Sequence, residues 1–194
     1  MKSLKRKDYY IAVVLLIFIS AFTMAMIPEQ ARRHYKFDKD GQLIRSSIED
    51  YRHWVYVGTP VTPNDLNPPA AAFPDFHNVY IHPSDFKYYE KHGKWQDGTI
   101  LVKELVTVGS TQAVSGKGYF QGEFYGLEAT VKDSKQFPDE PGNWAYFSFG
   151  HELPLLKTAK AFPTASCNAC HAAAAADTDF VFTQYYPVLR AVAK

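Results

Sequence analysis

Hydrophobic and polar positions follow different rhythms along this chain, and each rhythm predicts a different kind of element. The first stretch has no rhythm at all. After the basic run MKSLKRKD, residues 9–27 (YYIAVVLLIFISAFTMAMI) are almost wholly apolar, and Ile11 to Ile27 carries no charge over 17 residues. With no polar face, this is a poor pattern for a core helix. Its length lies between the usual signal-peptide core of about 7–15 residues and a bilayer span of about 17–25. The pattern predicts an amino-terminal helix over 1–27, either a cleaved signal peptide or an uncleaved membrane anchor. Lys2, Lys5, Arg6 and Lys7 keep its start in the cytoplasm and place the rest outside.

From about Phe37 the rhythm shifts towards a period of two. HNVYIH (77–82), TILVKELVTV (99–108), GYFQGEFYGLEATVK (118–132) and NWAYFSF (143–149) are rich in β-branched and aromatic residues and bounded by glycine or proline, so each predicts a strand. Between the first two, PSDFKYYEKHG (83–93) predicts a helix capped by Ser84 and ended by Gly93. SIEDYRHW (47–54) predicts a second, short helix. The proline-rich PVTPNDLNPPAAAFP (60–74) predicts a surface loop. Towards the carboxyl terminus LPLLKTAKAF (153–162), the alanine-rich stretch after Cys167 and DFVFTQYY (179–186) read as helices, with Pro187 interrupting. The whole predicts an α+β domain: an antiparallel β-sheet with helices near the C-terminus. The organisation is 1–27 export segment, 28–36 linker and 37–194 globular domain.

Composition changes this picture little. Hydrophobic residues make up 46% and aromatics 15%, enough for a core in a 194-residue chain. The formal net charge is +1, and like charges do not run in long blocks, so nucleic acid is not an expected partner.

The chemistry concentrates in CNACH, residues 167–171, which contains the only two cysteines of the chain. C-x-x-C-H is the pattern on which a c-type haem is covalently attached. On a helix Cys167, Cys170 and His171 fall at i, i+3 and i+4, on one face, so two thioethers and an iron-ligating imidazole can meet one porphyrin. A structural zinc site would need a second pair of soft ligands. A thioredoxin-like pair would lie in an early βαβ unit. One covalent haem c is therefore expected, with Cys167 and Cys170 as attachment residues and His171 as the metal ligand. Its attachment outside the cytoplasmic membrane agrees with the export segment. Methionine occurs only at positions 1, 24 and 26, so the domain offers none as the axial ligand of an ordinary His/Met electron carrier. The other face of the iron is either open or held by a second histidine: His53, His77, His82, His92 or His151, with His34 close to the export segment. An open face is preferred.

Six segments in order carry a resemblance to a known family: VGTPVTPNDLN, DGTILVKELVTVGS, GYFQGEFYGLEATVKDS, FPDEPGNWAYFSF, CNACH and VFTQYYPVLRA. Together, over about Phe37 to Ala191, the chain resembles the cytochrome P-460 family, whose other branch is the cytochromes c′-beta. The resemblance implies an antiparallel sheet with haem-bearing helices, commonly a homodimer. It implies oxidation of hydroxylamine to nitrous oxide or nitric oxide, with electrons passed to an exported redox carrier. It further implies a lysine cross-link to the macrocycle at Lys103 of V-K-E-L and a distal carboxylate at Glu128 of G-L-E-A. Where those enzymes have an arginine before the V-Y strand, this chain has His77. The c′-beta branch lacks the cross-link and binds nitric oxide or carbon monoxide beneath phenylalanines. The expected location is the periplasmic side of a bacterial inner membrane, anchored or soluble.

Strand alternation speaks to the same residues. Leu101, Lys103 and Leu105 share one face, and Val102, Glu104 and Val106 the other, so at least one charge sits among apolar neighbours. Such surroundings favour a neutral, nucleophilic amine; the alternative is a lysine that snorkels to solvent. Phe120, Gly122, Phe124, Gly126 and Glu128 share a face on which the glycines would leave room for a flat group. Glu128 at its end either has a raised pKa and acts as a base, or forms an ion pair. His77, on a face with Val79 and Ile81, is either structural or a distal hydrogen-bonding group.

Overall fold

Alternation along long strands builds most of this molecule, whose computed structural model describes residues 33–192; the export segment predicted over 1–27 lies outside these. Among the described residues no helix is long and apolar enough to cross a membrane. A five-stranded antiparallel sheet has the order β2 (Val55–Gly58), β3 (Phe76–Ile81), β4 (Ile100–Ala113), β5 (Gly116–Lys132), β6 (Trp144–Ser148). A two-stranded sheet pairs β1 (Leu43–Ile44) with β7 (Thr158–Ala159). Among the described residues there are three α-helices: α1 (Pro83–His92), α2 (Cys167–Ala175) and α3 (Pro187–Val192). The expected α+β class, with its antiparallel sheet and helices towards the C-terminus, is what the chain forms.

Apart from the exposed outer end of the β4–β5 ribbon, the sheet is buried on both faces, and the period of two sorts the side chains. Ile100 and Val102 of β4, Leu127, Ala129 and Val131 of β5, and Ala145 and Phe147 of β6 pack with Leu43, Ile48 and Trp54 in one core. Leu101, Val79 and Ile81, with Trp144 and Tyr146 of β6, face a second core that holds Val181 and Leu189 from the carboxyl-terminal segment. Each fully buried aliphatic or phenyl side chain contributes about 1.5–3 kcal/mol. The second core contains the cavity described below.

Several elements differ from expectation. Residues 47–54 form two short 3₁₀ turns, Arg45–Ile48 and Tyr51–His53, instead of one helix. Helix α1 is capped by His82, whose side chain accepts from Ser84 N; Ser84 itself is the second helical residue, and Gly93 ends the helix in the left-handed region as expected. The segment 153–162 is not a helix. Its backbone instead joins strands: Leu156 N donates to Phe149 O, Phe162 N to Tyr146 O, and Thr158–Ala159 pairs with β1. Pro187 starts α3 instead of interrupting a helix, and 179–186 is turn and 3₁₀ structure.

The expected face of Phe120, Gly122, Phe124 and Gly126 is also corrected. β-Bulges shift the β4–β5 register, so that Gly126 opposes Leu105 while Phe124 opposes Val106. One extra residue reverses the facing of all that precedes it. Phe124 therefore packs against the first core and beneath the Arg52 guanidinium, 5.1 Å from its ring centroid. Gly122 faces Gly109 across the ribbon so closely that a Cβ would lie 2.6 Å from Thr107 Oγ1 and 2.8 Å from Gly109 Cα. The glycines admit a backbone, not a flat cofactor.

Candidate functional site

Helix α2 begins at Cys167, and its first turn is fixed from below. The buried Asn168 donates from Nδ2 to Trp144 O (2.6 Å), and Ala169 N donates to Thr164 O. Cys167 and Cys170 thereby reach one wall of a cavity of about 620 Å³, within the range of about 300–1,000 Å³ typical of cofactor sites. His171 lies on the same wall, between the rings of Tyr146 and Phe182, each 4.5 Å away between centroids. Its Nδ1 donates to Phe180 O at 2.7 Å, which leaves Nε2 with the free lone pair that a metal ligand requires. Burial pushes its pKa down, helped by the Lys103 charge against the opposing Phe180 bond, so the imidazole is kept neutral as a metal ligand must be.

The strands supply the remaining polar groups. Lys103 and Glu128 are register partners on β4 and β5, both pointing into the cavity, and Lys103 Nζ lies 2.6 Å from Glu128 Oε2. His151, just beyond β6, donates from Nε2 to Glu128 Oε1 at 2.9 Å. Burial acts to raise the Glu128 pKa, but the Lys103 charge and the hydrogen bonds from Lys103 and His151 win, and the carboxyl sits below its usual value. This corrects the expected raised pKa: of the alternatives the sequence left open, Glu128 takes the ion pair. The expectation for Lys103 changes with it, since its amine meets a carboxylate in place of purely apolar neighbours. Phe73 covers the pair from the proline-rich loop, 5.4 Å from Nζ to ring centroid.

His77, opposite Leu105 on β3, also lines the cavity. Burial and the Lys103 charge push its pKa down to about 4, so it is neutral at physiological pH. Its Nε2 is buried without a hydrogen-bond partner, and so is Trp144 Nε1 of another lining residue. Buried unpaired polar atoms are costly, and here they border a space that a cofactor's polar periphery would enter. The other histidines considered as second ligands lie elsewhere: His34 stacks on His82 at 3.4 Å, His92 binds Tyr88 O, and His53 is exposed. His77 and His151 alone among them line the cavity.

Sequence reasoning had placed His151 only among the possible iron ligands and missed its bond to Glu128; the signal available was Gly150-His151 following a strand, which says nothing of its partner. It also missed Glu104 on the opposite face, where the buried carboxylate accepts from Tyr51 (2.6 Å) and Arg52 (2.6 Å) and draws in Asn78 (3.3 Å). Glu104, not Lys103, is the charge of that strand enclosed in the first core's side.

The Cys167 thiol is pushed up by burial and by the Glu128 charge, the opposite of what a redox-active C-x-x-C thiolate needs. The apolar walls, the paired cysteines and the neutral, carbonyl-anchored imidazole suit a flat, largely apolar group that carries a metal. A sequence profile of the family described as Cytochrome P460 matches residues 48–183, more than two thirds of the chain, and the chain belongs to that family. It is a haem protein. No curated protein sequence matches it significantly.

Proposed function

We propose that this protein is a mono-haem c enzyme of cytochrome P-460 type that oxidises hydroxylamine to nitrous oxide or nitric oxide. The single observation that carries this reading is the convergence of Lys103, Glu128 and His77 on the cavity that Cys167, Cys170 and His171 enter. Cys167 and Cys170 hold the haem by thioethers, His171 ligates its iron, and Lys103 modifies the macrocycle. The bound haem supplies a redox centre for electrons drawn from the substrate. Glu128 accepts a proton from hydroxylamine. With Lys103 bonded to the macrocycle, Glu128 loses its charge partner and becomes a stronger base, and it must then pass the proton on. His151 is bonded to its other oxygen, and with half of its side chain exposed it connects that oxygen to solvent. His77, neutral and with Nε2 unpaired, can hydrogen-bond the substrate without adding positive charge. Phe73 and Phe162 border the cavity and limit water.

Electrons leave to an exported redox carrier, and the chain works on the periplasmic side of the bacterial inner membrane as a homodimer, tethered where the amino-terminal segment is retained. The first measurement is the absorption spectrum of the dithionite-reduced protein made in a host that attaches c-type haem. A Soret band strongly red-shifted from ordinary ferrous haem c is expected, together with hydroxylamine turnover. Lys103→Arg should return the band to its ordinary position and abolish most turnover; an unchanged spectrum and rate in that variant would remove Lys103 from the mechanism. A second reading is favoured by the phenylalanines at the cavity and by the engagement of the Lys103 amine with Glu128: a c′-beta-like binder of nitric oxide or carbon monoxide. An ordinary high-spin ferrous spectrum with tight nitric oxide binding and no turnover would establish it. A low-spin ferric spectrum that resists added ligands would instead mark a bis-histidine electron-transfer subunit through His77 or His151.

A further inference from the structure

Asp179 and Phe180 are consecutive non-glycine residues with positive φ, 51° and 64°. Aspartate visits this region readily, but for a bulky phenylalanine it is a steric outlier that persists only where its surroundings enforce it. The enforcement is visible. Lys132 Nζ, on a side chain only 15% exposed, holds both oxygens of Asp179 at 2.8 and 3.0 Å and also donates to Gly142 O at 2.7 Å. Phe180 N donates to Ala175 O at 2.7 Å, and Trp95 Nε1 reaches Thr178 O. The Phe180 ring lies against Gly142, where a Cβ would come within 2.3 Å of a ring carbon. This strained turn delivers one functional group, the Phe180 carbonyl, which accepts from His171 Nδ1 at 2.7 Å.

We propose that the Lys132–Asp179 ion pair is a positioning device for the iron's proximal histidine: it locks the 179–180 turn so that the Phe180 carbonyl polarises His171 Nδ1–H. The proposal rests on His171 being the iron ligand. Neither Lys132 nor Asp179 lines the cavity, so both act through Phe180. A firm Nδ1–H···O bond gives the imidazole more anionic character, strengthens its bond to iron and favours the ferric state. Release of the turn would let the carbonyl drift, weaken that bond and favour the ferrous state.

The test uses the full chain from a host that attaches c-type haem. The ferrous iron–histidine stretching frequency by resonance Raman and the equilibrium reduction potential are read for the wild type, Lys132→Met, Lys132→Arg and Asp179→Asn. Lys132→Met keeps an apolar stem against Trp144 and removes the charge; its stretch should move to lower frequency and its potential to a more positive value. Asp179→Asn, which tolerates the left-handed backbone, should move both in the same direction. Lys132→Arg should restore values close to wild type. If Lys132→Met does not fold, Asp179→Asn decides alone. Covalent haem with wild-type frequency and potential in the charge-removing variants would reduce the pair to a structural contact and overturn the proposal. A wild type without a histidine-ligated covalent haem would overturn the ligand assignment first, and this inference with it.

Discussion

Lys103 and Glu128 show how little a residue's chemistry is set by its type. Each is a charged group on a strand face that otherwise buries leucine, valine and aromatic side chains, and each is kept there by the other at 2.6 Å. Removal of one partner leaves the other charge half-buried, which is why paired charges in such places persist together. His77 has no such partner. Burial and Lys103 hold its pKa at about 4, against an ordinary value near 6.5. As pH falls below about 6.5 the unfolded chain takes up a proton on this residue while the native protein does not, so acid favours unfolding until about pH 4, where the native form also protonates. The wild type should therefore lose stability relative to His77→Gln between pH 6.5 and 4, by no more than about 3 kcal/mol. Urea unfolding of both proteins at pH 7, 5.5 and 4 measures this; parallel profiles would show His77 to be solvated. The sequence made CNACH legible because covalent attachment requires an unvarying local spacing. The Lys103–Glu128 contact was not legible, because it depends on a cross-strand register that no local pattern states.

At the scale of elements, β4 and β5 carry the site, and their register decides which residues reach it. The strands themselves were legible from β-branched and aromatic alternation, and α1 from its glycine stop. The bulges were not, because they are set by how two strands fit each other, and one of them turns Phe124 away from the face that presents Glu128. The same physics hid the path of 153–162. Its composition is compatible with a helix, but the open edge of β6 makes strand-like pairing the better use of its backbone groups. The glycines of β5 offer a clean check. Gly122 approaches Gly109 and Thr107, far along the ribbon from the cavity lining. Gly122→Ala should cost about 1–3 kcal/mol through overpacking, while the absorption spectrum of the haem-loaded protein stays unchanged. Chemical denaturation and the reduced spectrum of the variant test this together. A spectral change at unaltered stability would mean that the glycines do face the cofactor.

For the whole molecule, the sheet divides the domain into two unequal halves. One face closes on a dense core that includes Leu43, Ile48, Trp54 and Phe147, and on the buried Glu104 network that ties the 3₁₀ turn at Tyr51–His53 to β4. The other face is packed at its α1 and α3 side by Val57, Ile81, Tyr89, Trp95 and Leu189, but holds an apolar cavity of about 620 Å³ where α2 and the 179–186 turns cross it. A chain that leaves such a space in its core is stabilised by whatever fills it, and α2 presents the two cysteines at its edge. A cofactor that covered even roughly 200 Å² of apolar lining would contribute about 5 kcal/mol. On the proposed thioether attachment, the double substitution Cys167→Ser, Cys170→Ser should yield a folded but weaker apoprotein. Its melting temperature should fall by about 10–20 °C for a domain of this size. Calorimetry of the haem-loaded wild type against this variant, with haem content checked for each, measures the difference. Equal melting temperatures would mean that the second core is complete without the cofactor, and that the cavity is a consequence of the fold rather than its organising feature.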